Sequence, residues 1–430
     1  MEQKRIIIVG GGFAGVWAAM GAARKLAEKS GGDDVRITLV SPDDALVIRP
    51  RLYESDLSGV RVPLSEVLSP VAVEHRQALV ESIDTERRRL TLGGQCPGQL
   101  GYDQLVLCAG SEVRLPAGAD GVHSVDGYER AVALRQAVAT LGDRPGAQFS
   151  ATVVGAGFTG IEVAAELSDM LRAASRRAGA SAEEVSVVLV DQAKEVAPEF
   201  GPRARVVINE ALRSLGVRTR PGAAVSQADA EGVTLADGER IAAGLTVWTA
   251  GPRASALNEQ LGQPLDGHGR LTVDSQMATG IEGVWAAGDG AAVKVDREHL
   301  AMMSCQQAMP QGRQAGENAA AAALGRSLRG YSQPLYLTCL DLGSAGALLT
   351  CGHERDTLIA GGERAKRFKR FINRSLIYPP AGGDATRLLA LGKRATAGTV
   401  GARVQAMALR SDAVRNAVVS RGEDRAERYG

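Results

Sequence analysis

The 430-residue chain is poor in cysteine, in aromatic side chains and in net charge. Its five cysteines are odd in number and widely scattered, which argues against a disulfide framework and favours a reducing cytoplasm. A formal net charge of +1 gives no global attraction to nucleic acid. No run of about 18 uncharged apolar residues occurs, so no membrane span is expected. The N-terminus enters a predicted strand at once and does not resemble a signal peptide.

Histidine is also scarce, and its five positions (75, 123, 268, 299 and 353) show no spacing typical of metal ligands. We therefore expect no metal site. His299 precedes the segment that contains Cys305, and two interpretations stay open for it. It either reaches the side of the site where an acceptor would bind, or it is an exposed loop histidine.

Glycine, by contrast, is abundant at 52 residues, and it forms two dinucleotide fingerprints of the form GxGxxG. Each fingerprint stands between a predicted strand and a predicted helix, at residues 10–15 and 155–160. The glycines have three mechanical roles. These are a tight turn (Gly10, Gly155), close approach of a pyrophosphate (Gly12, Gly157) and close packing of helix on strand (Gly15, Gly160). Two such loops predict two dinucleotides bound at once, which suggests electron transfer between them.

The fingerprint also expects an acid at the end of the second strand, where it binds a ribose hydroxyl. In the second unit Asp191 ends the predicted strand, and its carboxylate favours NADH over NADPH. In the first unit the strand ends at Ser41, whose hydroxyl can still bind ribose. Asp43 and Asp44 follow and are alternative partners.

The order of predicted elements shows a long internal repeat: strand, glycine loop, helix, strand, meander, and a strand ending in Ala-Gly. The last two residues are Ala109-Gly110 in the first copy and Ala250-Gly251 in the second. A further apolar strand before Asp289 predicts that residues 265–325 return to the first unit. Residues from about 331 onward form a third piece, in which residues 331–350 predict a strand hairpin.

Several segments resemble the two-dinucleotide flavoprotein superfamily of pyridine nucleotide–disulfide oxidoreductases, and most closely its type II NADH dehydrogenases. They are GAGFTGIEVAAE at 155–166, VWTAGPRAS at 247–255, VWAAGDGAA at 284–292 and VIRPRLYE at 47–54. The resemblance implies an α/β fold with two Rossmann-like domains, the NAD domain being inserted in the FAD domain. The expected boundaries are 1–120 with 265–328 for FAD, 121–264 for NAD(P)H, and 329–430 for a C-terminal α+β domain.

The resemblance also implies the cofactor contacts, with FAD and NADH as cofactors and NADPH as the weaker alternative. For FAD they are Gly10, Gly12, Phe13, Ala14, Gly15, Ser41, Pro50, Val80, Ala109, Gly110, Asp289, which would bind the ribityl chain, and Ala308. For NADH they are Gly155, Gly157, Phe158, Thr159, Gly160, Asp191, Ala250 and Gly251.

Two residues are candidates for catalysis. Glu162 is either a gate or proton-handling group near the nicotinamide, or an ordinary first-turn acid that favours the helix dipole. Gln306 belongs to a partial match to the quinone-side signature AQxAxQ of the type II dehydrogenases, in which Ala308 agrees and Pro310 replaces the last glutamine. We expect Pro310 in the first turn of a helix over residues 311–324. That helix either faces the flavin with its N-terminus or is a plain alanine-rich packing helix.

The chain departs from the superfamily's disulfide reductases because it has no CxxxxC or CxxC pair. Cys108 and Cys305 are the nearest cysteines by position, and a lone cysteine is more often a small core residue than a reactive thiol. Electrons should therefore pass from flavin directly to an acceptor.

The basic segment 364–374 predicts an amphipathic helix that either lies on an anionic membrane, through residues 364–377, or covers the flavin domain. The expected location is the cytoplasm, with peripheral attachment to the inner face of the membrane as the alternative, and a homodimer is left open. The predicted function is an FAD-dependent NADH dehydrogenase with a quinone as first-choice acceptor. The alternatives are a reductase of an electron-carrier protein, a pathway-specific oxidoreductase acting on a small organic substrate, and a non-enzymatic redox sensor.

Overall fold

A computed structural model of the chain describes residues 3–28, 34–143, 148–333 and 336–393. Its strands, numbered in chain order, are β1 (Lys4–Val9), β2 (Val35–Ser41), β3 (Ala45–Val47), β4 (Arg61–Pro63), β5 (Val73–Gln77), β6 (Leu79–Asp84), β7 (Arg89–Gly93), β8 (Gly98–Gly101), β9 (Gln104–Leu107), β10 (Ser111–Val113), β11 (Ser150–Val154), β12 (Ser186–Val190), β13 (Val217–Arg220), β14 (Val225–Asp229), β15 (Gly232–Leu235), β16 (Arg240–Ala242), β17 (Leu245–Trp248), β18 (Pro252–Ala254), β19 (Leu271–Thr272), β20 (Val284–Ala286), β21 (Ala291–Ala292), β22 (Leu337–Asp341), β23 (Ala347–Cys351) and β24 (Thr357–Gly361). Its α-helices are α1 (Phe13–Ala27), α2 (Leu64–Leu68), α3 (Tyr128–Ala139), α4 (Phe158–Arg177), α5 (Pro202–Ser214), α6 (Cys305–Ala323), α7 (Gly362–Phe371) and α8 (Ala385–Leu391). None of these helices combines the length and the apolar character needed to cross a lipid bilayer.

The first unit is built on a five-stranded parallel sheet in the order β20-β9-β1-β2-β5. Its central strand β1 carries a run of buried isoleucines, as expected for a parallel strand covered on both faces. β20 comes from far along the chain and pairs with β9, so the polypeptide returns to this sheet after building the second unit. The antiparallel meander β6-β7-β8 stands beside it.

The second unit repeats this plan with a four-stranded parallel sheet in the order β13-β12-β11-β17 and an antiparallel meander β14-β15-β16. Each sheet places its glycine loop between the first strand and the following helix, at the carboxyl ends of the strands. The predicted fold class, with one dinucleotide-binding unit inserted in another, is confirmed.

The C-terminal piece contains the antiparallel sheet β22-β23-β24, followed by α7 and a π-helical turn at Ile372–Leu376. β22 and β23 form the hairpin that the sequence predicted within residues 331–350. α8 then returns to the first unit and packs on α1 so closely that a Cβ at Gly392 would lie 2.4 Å from the Met20 carbonyl oxygen.

The prediction for the helix near Pro310 was wrong. α6 begins at Cys305, so Pro310 lies inside the helix and not in its first turn. The Ser304 side chain caps the helix by accepting a hydrogen bond from the Gln307 backbone N–H. The later turns pack tightly against α1, where a Cβ at Gly312 would lie 2.1 Å from the Ala14 carbonyl oxygen. This packing and the cap offset the backbone hydrogen bond that proline removes.

Candidate functional site

The first glycine loop has a geometry that only glycine satisfies. Gly10 has a φ of +112°, and a Cβ there would lie 2.2 Å from the Cys108 carbonyl oxygen. A Cβ on Gly15 would lie 1.8 Å from the Gly10 carbonyl oxygen, so α1 packs directly on the turn. Gly12 differs, because a Cβ there would meet nothing within 4 Å. The space that glycine keeps open at Gly12 is the side from which a pyrophosphate would approach.

The second glycine loop reproduces the first closely. Gly155 has a φ of +104°, and a Cβ on Gly160 would lie 1.7 Å from the Gly155 carbonyl oxygen. The helix that follows begins after Gly157, whose φ of −77° and ψ of −172° match the values of −80° and −170° at Gly12. The two loops therefore form the same structure in the two units.

Both helix N-termini suit an anionic ligand. Neither α1 nor α4 has a capping side chain or an acidic residue in its first turn. Their first backbone N–H groups consequently remain available, and the helix dipole adds partial positive charge. These features fit the pyrophosphate of a dinucleotide at each loop.

The residues predicted for FAD gather around the first loop from four separate segments. A Cβ on Gly288 would lie 2.7 Å from the Ala14 Cβ and 3.7 Å from the Ala308 Cβ, so the Gly-Asp turn lies between α1 and α6. The adjacent Asp289 carboxylate accepts a 2.6 Å hydrogen bond from the Ser111 hydroxyl, and Arg49 lies 3.9 Å away.

The other predicted FAD contacts lie on neighbouring backbone. The Ser41 hydroxyl is next to the loop, 2.7 Å from the position of a Cβ on Gly11. Gly110, which follows Ala109, has a φ of +72°. The remaining two are Pro50 and Val80. Pro50 lies in the turn Arg49–Arg51, and Val80 is buried in β6, two residues after an N–H that donates to the Ser41 carbonyl.

Asp191 lies against the second loop, as predicted. One carboxylate oxygen accepts a 2.5 Å hydrogen bond from the Ala156 N–H and the other accepts a 2.7 Å bond from the Ala193 N–H. Ala250, beside Gly251, is close to the loop, since a Cβ on Gly155 would lie 3.0 Å from the Ala250 nitrogen. Thr159 is exposed on the first turn of α4.

Phe158, the first residue of α4, belongs to an aromatic and charged group. Its ring stacks with that of Phe200 at a centroid distance of 6.4 Å, and the Arg355 guanidinium lies 5.2 Å from the Phe200 centroid. Arg355 forms an ion pair with Glu199, whose carboxylate is 3.1 Å from the position of a Cβ on Gly157. The C-terminal piece thus reaches the edge of the second loop.

Glu162 is the fifth residue of α4 and is buried, so it is not the first-turn acid that one interpretation expected. Its Oε1 lies 2.8 Å from Lys369 Nζ and accepts a 2.9 Å hydrogen bond from the Asp341 backbone N–H. The Lys369 ammonium also lies 5.3 Å from the Phe158 ring centroid and 5.6 Å from the Tyr53 ring centroid. Residues of all three pieces therefore meet at one ion pair.

Burial raises the pKa of Glu162 to about 7, while the Lys369 ammonium opposes the rise. The pKa of Lys369 is itself raised, because the nearby Glu162 and Asp341 carboxylates outweigh its burial. Burial and the same two carboxylates raise the pKa of the Tyr53 hydroxyl. Glu162 is consequently a group that can gain or lose a proton near neutral pH.

The two cysteines singled out by position are poor nucleophiles. Burial raises the pKa of Cys108, and it raises the pKa of Cys305 to about 11. Both thiols remain protonated at neutral pH, and all five cysteines are free. These values favour the small-core-residue interpretation over a thiol relay.

Gln306 is the second residue of α6, so it lies in the first turn of this helix. Its side chain is half-buried. Its neighbour Gln307 is fully buried, and the Gln307 Oε1 accepts a hydrogen bond from the Tyr331 hydroxyl. Gln311 Oε1, one turn further, accepts a 2.8 Å hydrogen bond from the Gly288 N–H. The N-terminal half of α6 thus supports the Gly-Asp turn, and the rest packs on α1.

Sequence reasoning missed the partners that complete the site, namely Asp341, Arg355 and Lys369 from the C-terminal piece and Glu199 from the second unit. Lys369 is part of the basic segment 364–374, for which the sequence left open a membrane surface or the flavin domain as the partner, and no local pattern distinguishes it from its exposed neighbours. A signal did exist for the start of α6, because Ser304 and Gln307 match the S-x-x-Q capping box.

Comparisons with known proteins agree with this geometry. The family described as pyridine nucleotide-disulphide oxidoreductase matches residues 4–312. An NADH dehydrogenase-like protein of Mycobacterium tuberculosis is 44% identical over 395 residues, covering 90% of this chain and 98% of that protein. The demethylphylloquinone reductase of Synechocystis is 29% identical over 369 residues, covering 81% of this chain and 87% of that protein.

Among solved structures, NDH2 of Plasmodium falciparum in complex with NADH superposes with a TM-score of 0.73. The alignment covers 91% of this chain and 97% of that one at 13% identity, which shows a shared fold.

Proposed function

Because this chain belongs to the pyridine nucleotide-disulphide oxidoreductase family, we propose that it is an FAD-dependent NADH dehydrogenase that reduces a quinone. The observation that carries the proposal is the pair of matching glycine loops, each ending at an uncapped helix N-terminus. A protein with two such loops binds two dinucleotides together. We also propose the domain boundaries that the resemblance implies. These are residues 1–120 with 265–328 for FAD, 121–264 for NAD(P)H, and 329–430 for the C-terminal domain.

When bound, FAD supplies the chemistry, by accepting a hydride from NADH and giving up electrons to an acceptor. The chain's own residues bind and orient the two cofactors. The first loop and the N-terminus of α1 would hold the pyrophosphate of FAD, and Asp289, which accepts a hydrogen bond from Ser111, would bind the ribityl chain. Ser41 provides a neutral hydroxyl for the adenosine ribose.

Asp191 selects NADH over NADPH in this proposal. Its carboxylate is held beside the second loop by two backbone N–H groups, so it keeps its position when no ligand is bound. A fixed negative charge there accepts hydrogen bonds from ribose hydroxyls and repels a 2′-phosphate.

Two observations support a quinone as acceptor. The protonated thiols of Cys108 and Cys305 offer no disulfide relay, so electrons would pass from the flavin directly to the acceptor, as reduction of a quinone requires. The demethylphylloquinone reductase, whose name gives a quinone as its substrate, aligns with most of this chain. Gln306, which is half-buried in the first turn of α6, is the candidate contact to the acceptor.

Reduction of a quinone consumes protons, and the Glu162–Lys369 pair is placed to hold one. Both contacts to Glu162 are made to Oε1, so a proton that it takes up would be carried on Oε2. Lys369 lies beside the start of α4, with its ammonium 5.3 Å from the Phe158 ring centroid. We therefore assign Glu162 to proton handling.

We propose that the exposed side of residues 364–377 makes a peripheral contact with the membrane. Phe371 is 53% exposed and Leu376 is 58% exposed, and the basic Arg370 and Arg374 stand beside them. Apolar and basic side chains on one surface suit an anionic bilayer. Flotation with anionic vesicles tests this contact, and the same measurement on Phe371→Ser with Leu376→Ser is expected to show its loss.

Anaerobic stopped-flow spectroscopy of the purified protein tests the central proposal. NADH should bleach the flavin absorption rapidly, and a soluble quinone should restore it in a second phase. The absence of bound flavin, or no bleaching by either NADH or NADPH, would reject the proposal.

The reoxidation phase separates the acceptors. Fast reoxidation by ferredoxin with no response to quinone would favour the carrier-reductase alternative. Tight NADH binding without turnover on any acceptor would favour a redox sensor. Gel filtration of the same samples tests the homodimer.

A further inference from the structure

Two histidines and an aspartate that are distant in the sequence come together between the loop before α6 and the turn after β23. His299 Nδ1 lies 2.9 Å from Asp296 Oδ2, and His353 Nε2 lies 3.9 Å from the same oxygen. The two imidazole rings stack with a centroid distance of 4.5 Å and an interplanar angle of 10°. One ligand atom from each of the three residues lies within 4.8 Å of the other two.

The His353 ring is the unusual member of this cluster. Its side chain is only 8% exposed, and neither ring nitrogen has a hydrogen-bond partner among the described residues. Buried polar groups in folded proteins nearly always have a partner. The nearest carboxylate oxygen is Asp296 Oδ2, the same atom that His299 contacts. At 3.9 Å from His353 Nε2, it is too far for a hydrogen bond.

We propose that Asp296, His299 and His353 bind one Zn²⁺ ion. Two imidazoles and one carboxylate form a donor set that Zn²⁺ prefers, and three protein ligands leave a fourth tetrahedral position. Water can fill that position. Because an imidazole binds a metal in its own plane and the two rings are stacked, one ring has to turn when the ion binds. The Asp296 carboxylate partly balances the charge of the ion, and bound Zn²⁺ gives the buried His353 its missing partner.

This site lies beside the second glycine loop. Arg355, two residues after His353, forms an ion pair with Glu199, and its guanidinium lies 2.9 Å from the sulfur of Met302. Zn²⁺ bound by one ligand from the turn and two from the loop would tie together the segments that carry Arg355 and Met302. The ion therefore has a positioning role at the edge of the site and needs no part in the redox chemistry.

Zn²⁺ titration of the flavin-loaded protein, with any polyhistidine tag removed, tests the proposal by competition with a chromogenic chelator. We expect one Zn²⁺ per chain. Asp296→Asn alters an exposed member of the cluster and His299→Gln a half-buried one, and thermal denaturation without metal checks that both variants fold. Each should weaken Zn²⁺ binding by more than the roughly 10–100-fold that loss of an outer-shell partner causes. His268→Gln, an exposed histidine outside the cluster, is the matched control and should bind as the wild type does.

Two further readouts are independent of activity. Co²⁺ in place of Zn²⁺ should give the visible absorption of a tetrahedral site in the wild type and lose it in His299→Gln. Zn²⁺ should raise the thermal midpoint of the wild type and leave that of His299→Gln unchanged. Failure to compete with the chelator, or equal affinity in the wild type and His299→Gln, would overturn the proposal and leave the histidines as a stacked pair.

Discussion

At the residue scale, Glu162 shows how its surroundings set the chemistry of a carboxyl group. The helix that carries it brings it into the interior, where loss of water favours the protonated form. Lys369 limits that effect by offering a positive charge at 2.8 Å. The balance leaves its pKa at about 7, inside the range in which a group can both accept and release a proton.

Replacing Glu162 with glutamine tests this role. Wild-type kcat should fall as pH rises through about 7, because Glu162 is protonated below that pH and ionised above it. Glu162→Gln should lower kcat by about 10²-fold and remove this pH dependence, since the amide neither takes up nor releases a proton. The measurement is kcat with quinone across the pH range.

Glu166→Gln, one turn further along α4 and half-buried, is the control and should keep the wild-type profile. An unchanged pH profile in Glu162→Gln would assign Glu162 a purely structural role.

Asp191 provides a second prediction at this scale. Asp191→Asn should raise KM for NADH by about 10–100-fold, since hydrogen bonds to a charged group contribute roughly 1.5–3 kcal/mol. Use of NADPH should suffer less, because the repulsion of its 2′-phosphate is removed. Steady-state kinetics with both nucleotides give the ratio of the two kcat/KM values, which should shift towards NADPH.

Asp237→Asn, an exposed aspartate in the same unit, should leave that ratio unchanged. Equal losses for both nucleotides in Asp191→Asn would mean that Asp191 supports the loop and does not select the ribose.

At the scale of elements, the glycine loops need glycine for two different reasons that the sequence motif does not distinguish. One is close packing of helix on turn, and the other is open space for a ligand. Gly15 and Gly160 allow helix and turn to touch, and a Cβ on either one would overlap a backbone oxygen. Gly12 has open space around the position of its Cβ, so the folded protein itself tolerates a side chain there. Only a ligand that occupies this space would exclude the methyl group.

Gly12→Ala should therefore separate binding from folding. We expect a change in the stability of the flavin-free protein of about 1 kcal/mol or less, from the poorer N-cap, and more than tenfold weaker FAD binding. Gly361→Ala is a matched control, because Gly361 is also a helix N-cap with open space around its Cβ position. Thermal denaturation and FAD titration check both quantities. Normal FAD affinity in Gly12→Ala would show that the pyrophosphate does not approach there.

The helices also show where local patterns fail. The sequence placed the start of the helix after Pro310, since proline favours the first turn. The structure starts it at Cys305, because Ser304 caps it and the packing on α1 outweighs the lost hydrogen bond. Residues 364–374 are helical as predicted, yet Lys369 is buried against Glu162 while Arg367 and Arg370 are exposed. Charge patterning along one helix does not reveal a partner on another.

At the scale of the whole molecule, the Lys369–Glu162 pair joins the C-terminal piece to the second unit. Lys369→Met leaves the Glu162 carboxyl buried without its cation and should destabilise the protein by about 3–5 kcal/mol when that carboxyl is ionised.

The stability of the wild type should also depend on pH through the same carboxyl. The folded-state pKa of Glu162 is raised above its ordinary value, so the native state holds a proton that the unfolded chain releases. Stability should therefore fall as pH rises from the ordinary value of 4.5 through about 7, and it should level off above that range because Glu162 is then ionised in both states.

Thermal midpoints measured at about pH 5 and about pH 8 check this prediction. The loss in Lys369→Met should be larger at the higher pH, and adding Glu162→Gln should recover most of it. Arg367→Met, on the exposed side of the same helix, should have little effect at either pH. A loss that is equal at both values would point to packing and not to the unpaired charge.

The sequence by itself determined the fold class and the two glycine loops. This was possible because positive φ values and backbone contacts closer than a Cβ allows admit only glycine, and they recur at fixed spacing after a strand. Only the tertiary structure decided which ionisable groups meet, namely Glu162 with Lys369, and Asp296 with His299 and His353. The physical reason is that burial and the charge of a distant partner set the state of an ionisable group. Neither quantity is encoded in the residues next to it in the chain.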